Sequence, residues 1–393
     1  MTTTAPADST SAGARTVETE TKDLPPYIGN GVAGTGKPML EVTDLHVRFD
    51  SPRGLINAVN GVSFSLDQGR TLGIVGESGS GKTVLSRAIM NLLPARTTRY
   101  SGSVRFEGQE ILGFNAKQMR PFWGPKISMV FQDPMTSLNP VVKVGRQITE
   151  SLRLHLKLDK AEARQSAIDL LRSVGIPDPA GRIDTYPGAM SGGMRQRVVI
   201  AIAMACSPGL LMADEPTTAL DVTVQAQILD LLGQQQKDHN MSMVLVTHDL
   251  GVVAGRTDAI CVMYAGRIVE RAPTRTLFAS PRHPYTVALM RSIPRVEQPS
   301  HTRLTAIAGR PPDLVNLPPG CAFAARCAFA QDRCRVETPL LQPGDAAGHA
   351  FACHFPIEPG ASARPDAGAS TAAVDPTAVA DPSGDSEGLG GAA

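Results

Sequence analysis

One loop in this sequence has the composition of a phosphate-binding site. Residues 76–83 read Gly-Glu-Ser-Gly-Ser-Gly-Lys-Thr, which fits the pattern G-x-x-x-x-G-K-[ST]. Glycines let the backbone curl so that successive N–H groups point at phosphate oxygens, and the helix that follows adds the positive end of its dipole. Lys82 would reach the β- and γ-phosphates, and the Thr83 hydroxyl would bind Mg²⁺. The candidate nucleotide-binding residues are Gly76, Ser78, Gly79, Ser80, Gly81, Lys82 and Thr83.

Two adjacent carboxylates form a second candidate site. Asp214 and Glu215 follow an apolar run at residues 210–213, and open α/β sheets bind their ligands where such strands end. Asp214 suits a Mg²⁺-bound water, and Glu215 suits a general base that orients water toward a γ-phosphate. An isolated acidic pair after a strand is more often a solvated turn. Beside a phosphate loop, the pair predicts Mg²⁺-dependent nucleotide hydrolysis.

The elements that must hold these residues follow an α/β pattern. Apolar runs that read as strands alternate with helical patterns, which predicts a mostly parallel sheet. The predicted strands cover residues 72–75, 127–131, 210–213, 243–247 and 259–263. Residues 141–190 carry no strand pattern. There Asp159 and Glu162 predict a capped helix start and Gly175 a helix end, so this stretch is predicted to be a helical insert.

Composition divides the rest of the chain. Residues 1–38 and 359–393 are rich in Ala, Gly, Pro and small polar residues, and we expect a disordered leader and tail. The net charge of +1 argues against nucleic acid as a partner. The longest apolar run, residues 198–206, is too short to span a bilayer. The N-terminus shows no secretory signal, and six cysteines are too few for a disulfide scaffold.

A third motif identifies a family. Residues 190–197 read Met-Ser-Gly-Gly-Met-Arg-Gln-Arg, and Ser191, Gly192 and Gly193 could open a second anion-binding helix. The stretch resembles the signature motif of ATP-binding cassette (ABC) ATPases. That resemblance implies that each signature completes the ATP site of a partner subunit, so that a head-to-tail dimer encloses two ATP molecules with Mg²⁺.

Four further positions match the same family one by one. Gln132 resembles the glutamine that senses the γ-phosphate and Mg²⁺, and His248 resembles the switch histidine on the γ-phosphate. Asp221 lies in a loop similar to the one that touches the opposite cassette, and Phe49 lies where an aromatic ring stacks on adenine. Taken alone, His248 would more often be structural and Phe49 a core residue.

The resemblance sets the expected architecture. It implies a P-loop NTPase ABC cassette over residues 39–272, with a RecA-like core, a helical subdomain at about 141–190 and an antiparallel β edge. A Cys-rich C-terminal extension, residues 273–358, follows it. Chromosome-organising members need a coiled coil, translation factors carry a second cassette, and exporters commonly have fused membrane helices; the sequence shows none of these. What remains is the separate ATPase subunit of a transporter.

Two short segments of the sequence indicate the class of transported solute. Residues 131–140 (FQDPMTSLNP) and 282–286 (RHPYT) resemble the ATPases of oligopeptide and dipeptide importers, and Met194 after Ser-Gly-Gly fits the same subfamily. Expected partners are a second, distinct ATPase, two membrane permease subunits and, indirectly, an extracytoplasmic solute-binding protein, at the cytoplasmic face of the membrane. Nickel importers share parts of this pattern. A different alternative is an iron–sulfur regulatory protein that uses nucleotide only as a ligand.

Four of the six cysteines cluster near the C-terminus. Cys321, Cys327, Cys334 and Cys353 have the spacing Cys-x5-Cys-x6-Cys-x18-Cys, wider than the pairs typical of structural zinc. Resemblance to peptide-importer ATPases implies a [4Fe–4S] cluster; Zn²⁺ and plain reduced thiols stay open as alternatives. Three interleaved arginines would offset the charge of a thiolate-bound cluster. They are Arg326, Arg333 and Arg335.

Overall fold

The computed structural model describes residues 38–218, 220–293 and 307–358, which are built on two β-sheets. The strands are β1 (Leu40–Ser51), β2 (Gly54–Leu66), β3 (Thr71–Val75), β4 (Thr98–Phe106), β5 (Gln109–Glu110), β6 (Ile127–Val130), β7 (Leu210–Asp214), β8 (Ser242–Thr247), β9 (Ala259–Tyr264), β10 (Arg267–Pro273), β11 (Gln342–Pro343) and β12 (Ala350–Phe351). The leader and tail predicted to be disordered lie outside the described residues, apart from Pro38.

Helices cover the sheets and the segments between them. They are α1 (Lys82–Ile89), α2 (Ala116–Met119), α3 (Pro134–Ser137), α4 (Val144–His155), α5 (Lys160–Ser173), α6 (Pro179–Arg182), α7 (Gly192–Met204), α8 (Val222–Asp238), α9 (Leu250–Val253), α10 (Thr274–Ala279), α11 (Pro284–Arg291) and α12 (Asp332–Val336). In the part of the chain that the structure describes, none of them has the length and apolar character to cross a membrane.

The larger sheet carries the predicted parallel core. Its order is β11-β12-β10-β9-β3-β8-β7-β6, and every pairing from β9 to β6 is parallel. The five strands predicted from the sequence are all present. Strands β3, β7, β8 and β9 are buried along their whole length, which is why they read as unbroken apolar runs.

A smaller antiparallel sheet packs against the parallel strands. Its order is β2-β1-β4-β5, with Val47 of β1 opposite Val59 of β2 and Tyr100 of β4. Its inner face shares one buried core with the parallel strands and α1, to which Phe64 and Leu85 contribute. This core fixes α1, and therefore the loop before it, against the sheet.

The stretch predicted to be a helical insert contains no strand and adds α4, α5 and α6 beside α7. The predicted cap is confirmed: Asp159 Oδ1 accepts from the Glu162 N–H (2.9 Å), and Glu162 Oε2 accepts from the Asp159 N–H (2.9 Å). The predicted end is also confirmed, because Gly175 has φ +73° one residue after the helix cap. Ile148, Leu171 and other apolar side chains of these helices join the core beneath α7.

The C-terminal segment joins the same large sheet. Strand β12 pairs antiparallel with β10, and β11 pairs with β12. Glu270 of β10 is fully buried and accepts three hydrogen bonds, from Arg282 N–H (2.7 Å), His283 N–H (3.0 Å) and His349 Nε2 (2.8 Å). One carboxylate therefore ties β10 to the start of α11 and to the turn before β12.

Candidate nucleotide-binding site

The loop between β3 and α1 needs its glycines. Gly81 has φ +101°, and a Cβ there would lie 2.2 Å from the carbonyl oxygen of Ala58. A Cβ on Gly76 would lie 2.1 Å from the carbonyl oxygen of Met263. No side chain fits such approaches, so the loop backbone is packed directly against its neighbours. The Ser80 hydroxyl is buried and has no hydrogen-bond partner among the described residues.

Lys82 folds back over this loop. Its Nζ donates to the carbonyl oxygens of Gly76 (2.7 Å) and Glu77 (2.9 Å). Burial lowers the pKa of Lys82, and the carboxylates of Glu215, Asp214 and Glu77 counteract that effect. The result is a cation held among the loop carbonyls, at the position where phosphate oxygens would take their place.

Thr83 and Asp214 are in contact, as ligands of one Mg²⁺ would need to be. The Thr83 Oγ1 donates to Asp214 Oδ1 at 3.1 Å. The other carboxylate oxygen, Oδ2, is buried without a partner among the described residues. Burial raises the pKa of Asp214, because desolvation disfavours the charged carboxylate more than the Thr83 hydroxyl and the nearby Arg87 and Lys82 stabilise it. A hydroxyl and an unsatisfied carboxylate oxygen are ligands that Mg²⁺ prefers, so these residues fit the ion.

Glu215 is the centre of a second group of side chains. Its Oε2 accepts from Gln132 Nε2 and from Thr218 Oγ1, both at 3.0 Å, and lies 3.3 Å from His248 Nδ1. The Glu215 side chain is 11% exposed, and its backbone has φ +47°, a left-handed conformation that non-glycine residues seldom adopt. The structure thus brings Gln132, Glu215 and His248 together.

The signature residues open a neighbouring helix. The exposed Ser191 caps α7, and its Oγ accepts from the Met194 N–H at 3.3 Å. Asp221 caps α8 in the same way, since its Oδ1 accepts from the Val224 N–H at 2.9 Å. A Cβ on Gly193 would lie 2.8 Å from the Val224 side chain, so the first turns of α7 and α8 are in contact.

Phe49 lies on the antiparallel sheet. It is half-buried in β1, opposite Ile56 and Thr98, and packs against the core below. Its role as the adenine-stacking residue stays a prediction.

The four clustered cysteines line one pocket. Cys321, Cys327, Cys334 and Cys353 share it with the rings of Phe323, Phe329 and Phe355. Burial, together with the charges of the other thiols, raises the pKa of Cys327 to about 11 and that of Cys353 to about 12. Across residues 38–218, 220–293 and 307–358, no group of three or more His, Cys, Asp or Glu side chains is placed to hold a metal ion.

Two of the three arginines expected to balance a cluster have other partners. Arg326 pairs with Glu77 of the phosphate loop, and Arg333 pairs with Glu337 one helical turn later. Each guanidinium is paired with a carboxylate, so the offset of cluster charge by these two arginines stays a prediction. The sequence did not predict the contact of Glu77 with Arg326 or that of Thr218 with Glu215. Glu77 occupies a variable position of the phosphate-loop motif, and no sequence motif includes a threonine three residues after Glu215.

Comparisons with known proteins show the family of this chain. The family described as "ABC transporter" matches residues 59–218, and the family described as "Oligopeptide/dipeptide transporter, C-terminal region" matches residues 269–334.

Relatives extend the likeness over most of the chain. The oligopeptide transport ATP-binding protein OppD of Bacillus subtilis is 53% identical over 309 residues, which is 78% of this chain and 86% of that protein. The dipeptide transport ATP-binding protein DppD of Escherichia coli is 48% identical over 320 residues, which is 81% of this chain and 97% of that protein.

The solved structure of the dimeric ATP-binding cassette MJ0796 in a post-hydrolysis state with ADP and Pi resembles the fold. Its TM-score is 0.55 at 25% identity, and the match covers 60% of this chain and 99% of that one.

Proposed function

Because this chain belongs to the ATP-binding subunits of oligopeptide and dipeptide ABC importers, we infer that it hydrolyses ATP to power peptide import through a membrane permease. The match of residues 269–334 to the peptide-transporter C-terminal region carries this assignment, since the cassette alone is shared with other solute classes. The alternatives, a nickel importer and an iron–sulfur regulatory protein, are not favoured.

The contacts around Asp214 and Glu215 support separate roles for the two carboxylates, Mg²⁺ binding for Asp214 and activation of water for Glu215. The loop N–H groups and Lys82 would bind the β- and γ-phosphates, and the oxygens of Thr83 and Asp214 would hold Mg²⁺, which neutralises phosphate charge when bound. Glu215 accepts a proton from the attacking water, and its Oε2 is aimed by Gln132 and Thr218. His248, more than half exposed, is free to turn toward the γ-phosphate.

A second subunit would complete each ATP site. Ser191 and Gly192 lie exposed at the start of α7, where they can meet the nucleotide of a facing cassette. Asp221 begins α8 beside them and would touch the opposite subunit. We expect the partner to be a distinct paralogue, arranged head to tail. The dimeric state of the similar cassette MJ0796 supports the pairing of two cassettes.

The membrane permease would dock near Gln132. A groove there is lined by Phe131 and Trp123 on one side and by Ser151 and His155 of α4 on the other. Phe131 remains 39% exposed although it is aromatic, as expected at a protein interface. Because the groove adjoins Gln132, movement at the γ-phosphate can pass to the permease, which we expect to consist of two subunits. A solute-binding protein would deliver the peptide to the permease on the outer side of the membrane. This subunit would bind the permease at the cytoplasmic face, as a peripheral protein.

The cysteine pocket would hold a [4Fe–4S] cluster, with Cys321, Cys327, Cys334 and Cys353 as ligands. The four thiols, all within residues 321–353, line one apolar pocket, and such soft ligands suit iron–sulfur clusters or Zn²⁺. Because burial raises the pKa values of these thiols, a bound metal would have to stabilise them in the thiolate form in which they act as ligands. The cluster would stabilise or regulate the C-terminal segment.

The cluster is tested by metal analysis of protein purified without oxygen. We expect a broad brown visible absorption and about four iron and four acid-labile sulfide per chain. Cys334→Ser should lower the iron content by at least about half, whereas Cys206→Ser, which changes a thiol outside the pocket, should leave it unchanged. Colourless protein with one zinc, or with neither metal, would contradict the cluster.

Peptide import is tested by uptake in the source cell. Deleting the gene should abolish ATP-dependent accumulation of a labelled dipeptide or oligopeptide, and the wild-type chain should restore it. Uptake of radioactive nickel in the same cells is the matched comparison and should not change. Loss of nickel uptake with normal peptide uptake would overturn the peptide assignment.

A further inference from the structure

Arg326 links the cysteine-bearing segment to the phosphate loop. Its side chain is 3% exposed, and Nη1 and Nη2 donate to Glu77 Oε2 (2.5 Å) and Oε1 (2.9 Å). This is a two-bond guanidinium–carboxylate pair between residues 249 positions apart. The remaining donors are also used: Nε donates to the Ala308 carbonyl (2.8 Å), and Nη1 to the Tyr264 hydroxyl (3.2 Å). The guanidinium is therefore fixed in place.

Glu77 is held at three points. Besides the carboxylate pair, its backbone N–H donates to the Tyr285 hydroxyl (2.8 Å), and its carbonyl accepts from Lys82 Nζ (2.9 Å). Tyr285 is itself fully buried and packs against the rings of Tyr264 and Phe323. The first part of the phosphate loop is thus attached to residues that lie outside the core of the ATP site.

The pair also removes an unfavourable charge. A carboxylate in a phosphate-binding loop would repel the phosphates of ATP, and Glu77 lies close enough to Lys82 to affect its charge. The guanidinium of Arg326 neutralises that carboxylate on the side away from solvent. Without it, Glu77 would be left as an unpaired, largely desolvated negative charge beside the nucleotide.

We propose that Arg326 is a positioning residue for ATP binding: by pairing with Glu77 it neutralises the carboxylate of the phosphate loop, which would otherwise repel the phosphates of ATP. Because Arg326 directly precedes Cys327, the order of the cysteine-bearing segment then sets the affinity of the ATP site. This inference rests on the proposed use of the loop for ATP.

The test is a double-mutant cycle in the full chain, with binding of a fluorescent ATP analogue as the readout. Arg326→Gln should raise the Kd about tenfold, because it leaves Glu77 unpaired. Glu77→Gln/Arg326→Gln should recover most of the affinity, because the repelling charge is gone, and Arg326→Lys should recover part of it. Arg333→Gln, which breaks an exposed pair in the same segment, should leave the Kd unchanged.

Two outcomes would overturn the proposal. One is a wild-type Kd in Arg326→Gln, and the other is a double variant that binds as weakly as Arg326→Gln. If Arg326→Gln does not fold, the single variant Glu77→Gln provides the test. It should bind the ATP analogue at least as tightly as wild type. A Kd about tenfold higher would contradict the claim that the Glu77 carboxylate repels ATP. Failure of the wild-type chain to bind the analogue at all would instead refute the proposed ATP site.

Discussion

Replacing Glu215 with glutamine should lower the turnover number for ATP hydrolysis by about 10²–10⁴-fold and leave the Kd for ATP within about threefold. Glutamine keeps the size of the side chain and can still accept from Gln132 and Thr218, so the surrounding geometry survives. What it loses is the ability to take a proton from the attacking water. The measurement is steady-state phosphate release by the assembled transporter, with nucleotide binding determined separately.

The control for this variant is Glu107→Gln, which alters an exposed carboxylate paired with Lys126. Its turnover should match the wild type. Hydrolysis by Glu215→Gln within threefold of wild type would show that another group activates the water. Loss of binding together with turnover would show that Glu215 holds the site together instead.

The second large effect concerns stability. Removing the carboxylate of Glu270 by Glu270→Ala should lower the free energy of unfolding by about 3–5 kcal/mol. The change leaves the N–H groups of Arg282 and His283 and the ring of His349 without their acceptor in a buried place. Urea unfolding followed by circular dichroism gives the difference.

The exposed Glu107→Ala should lower the same quantity by less than about 1 kcal/mol, because surface ion pairs contribute little. Equal losses in the two variants would mean that Glu270 is replaced by water or by a relaxed loop. In that case the carboxylate would not be the main attachment between β10 and α11.

Local sequence patterns predicted the structural features that are determined by residues close together in the chain. The capped start at Asp159, the end at Gly175 and the apolar strands all follow from rules that act over a few residues. The phosphate loop was also predictable, because its glycine and lysine spacing serves one geometry. Glu215 was expected from its place after an apolar strand, and Gln132 and His248 were expected from resemblance; the structure brings the three side chains together.

Contacts between distant segments were not predictable in this way. Arg326 was assigned to the cysteines beside it in sequence, yet its partner is Glu77. Nothing in the composition around either residue signals the other, because side-chain pairing across a fold depends on topology that one sequence does not display. Glu270 is similar: a glutamate within a strand usually faces water, and only the fold shows three donors converging on it.

The late position of β12 has a consequence for biosynthesis. Strand β10 is complete at Pro273, but the strand that covers its free edge ends at Phe351, about 80 residues later. At an elongation rate of about 5–20 residues per second, the nascent chain leaves that edge unpaired for several seconds. An unpaired edge is a template for aggregation, so this interval is when a ribosome-associated chaperone would be needed.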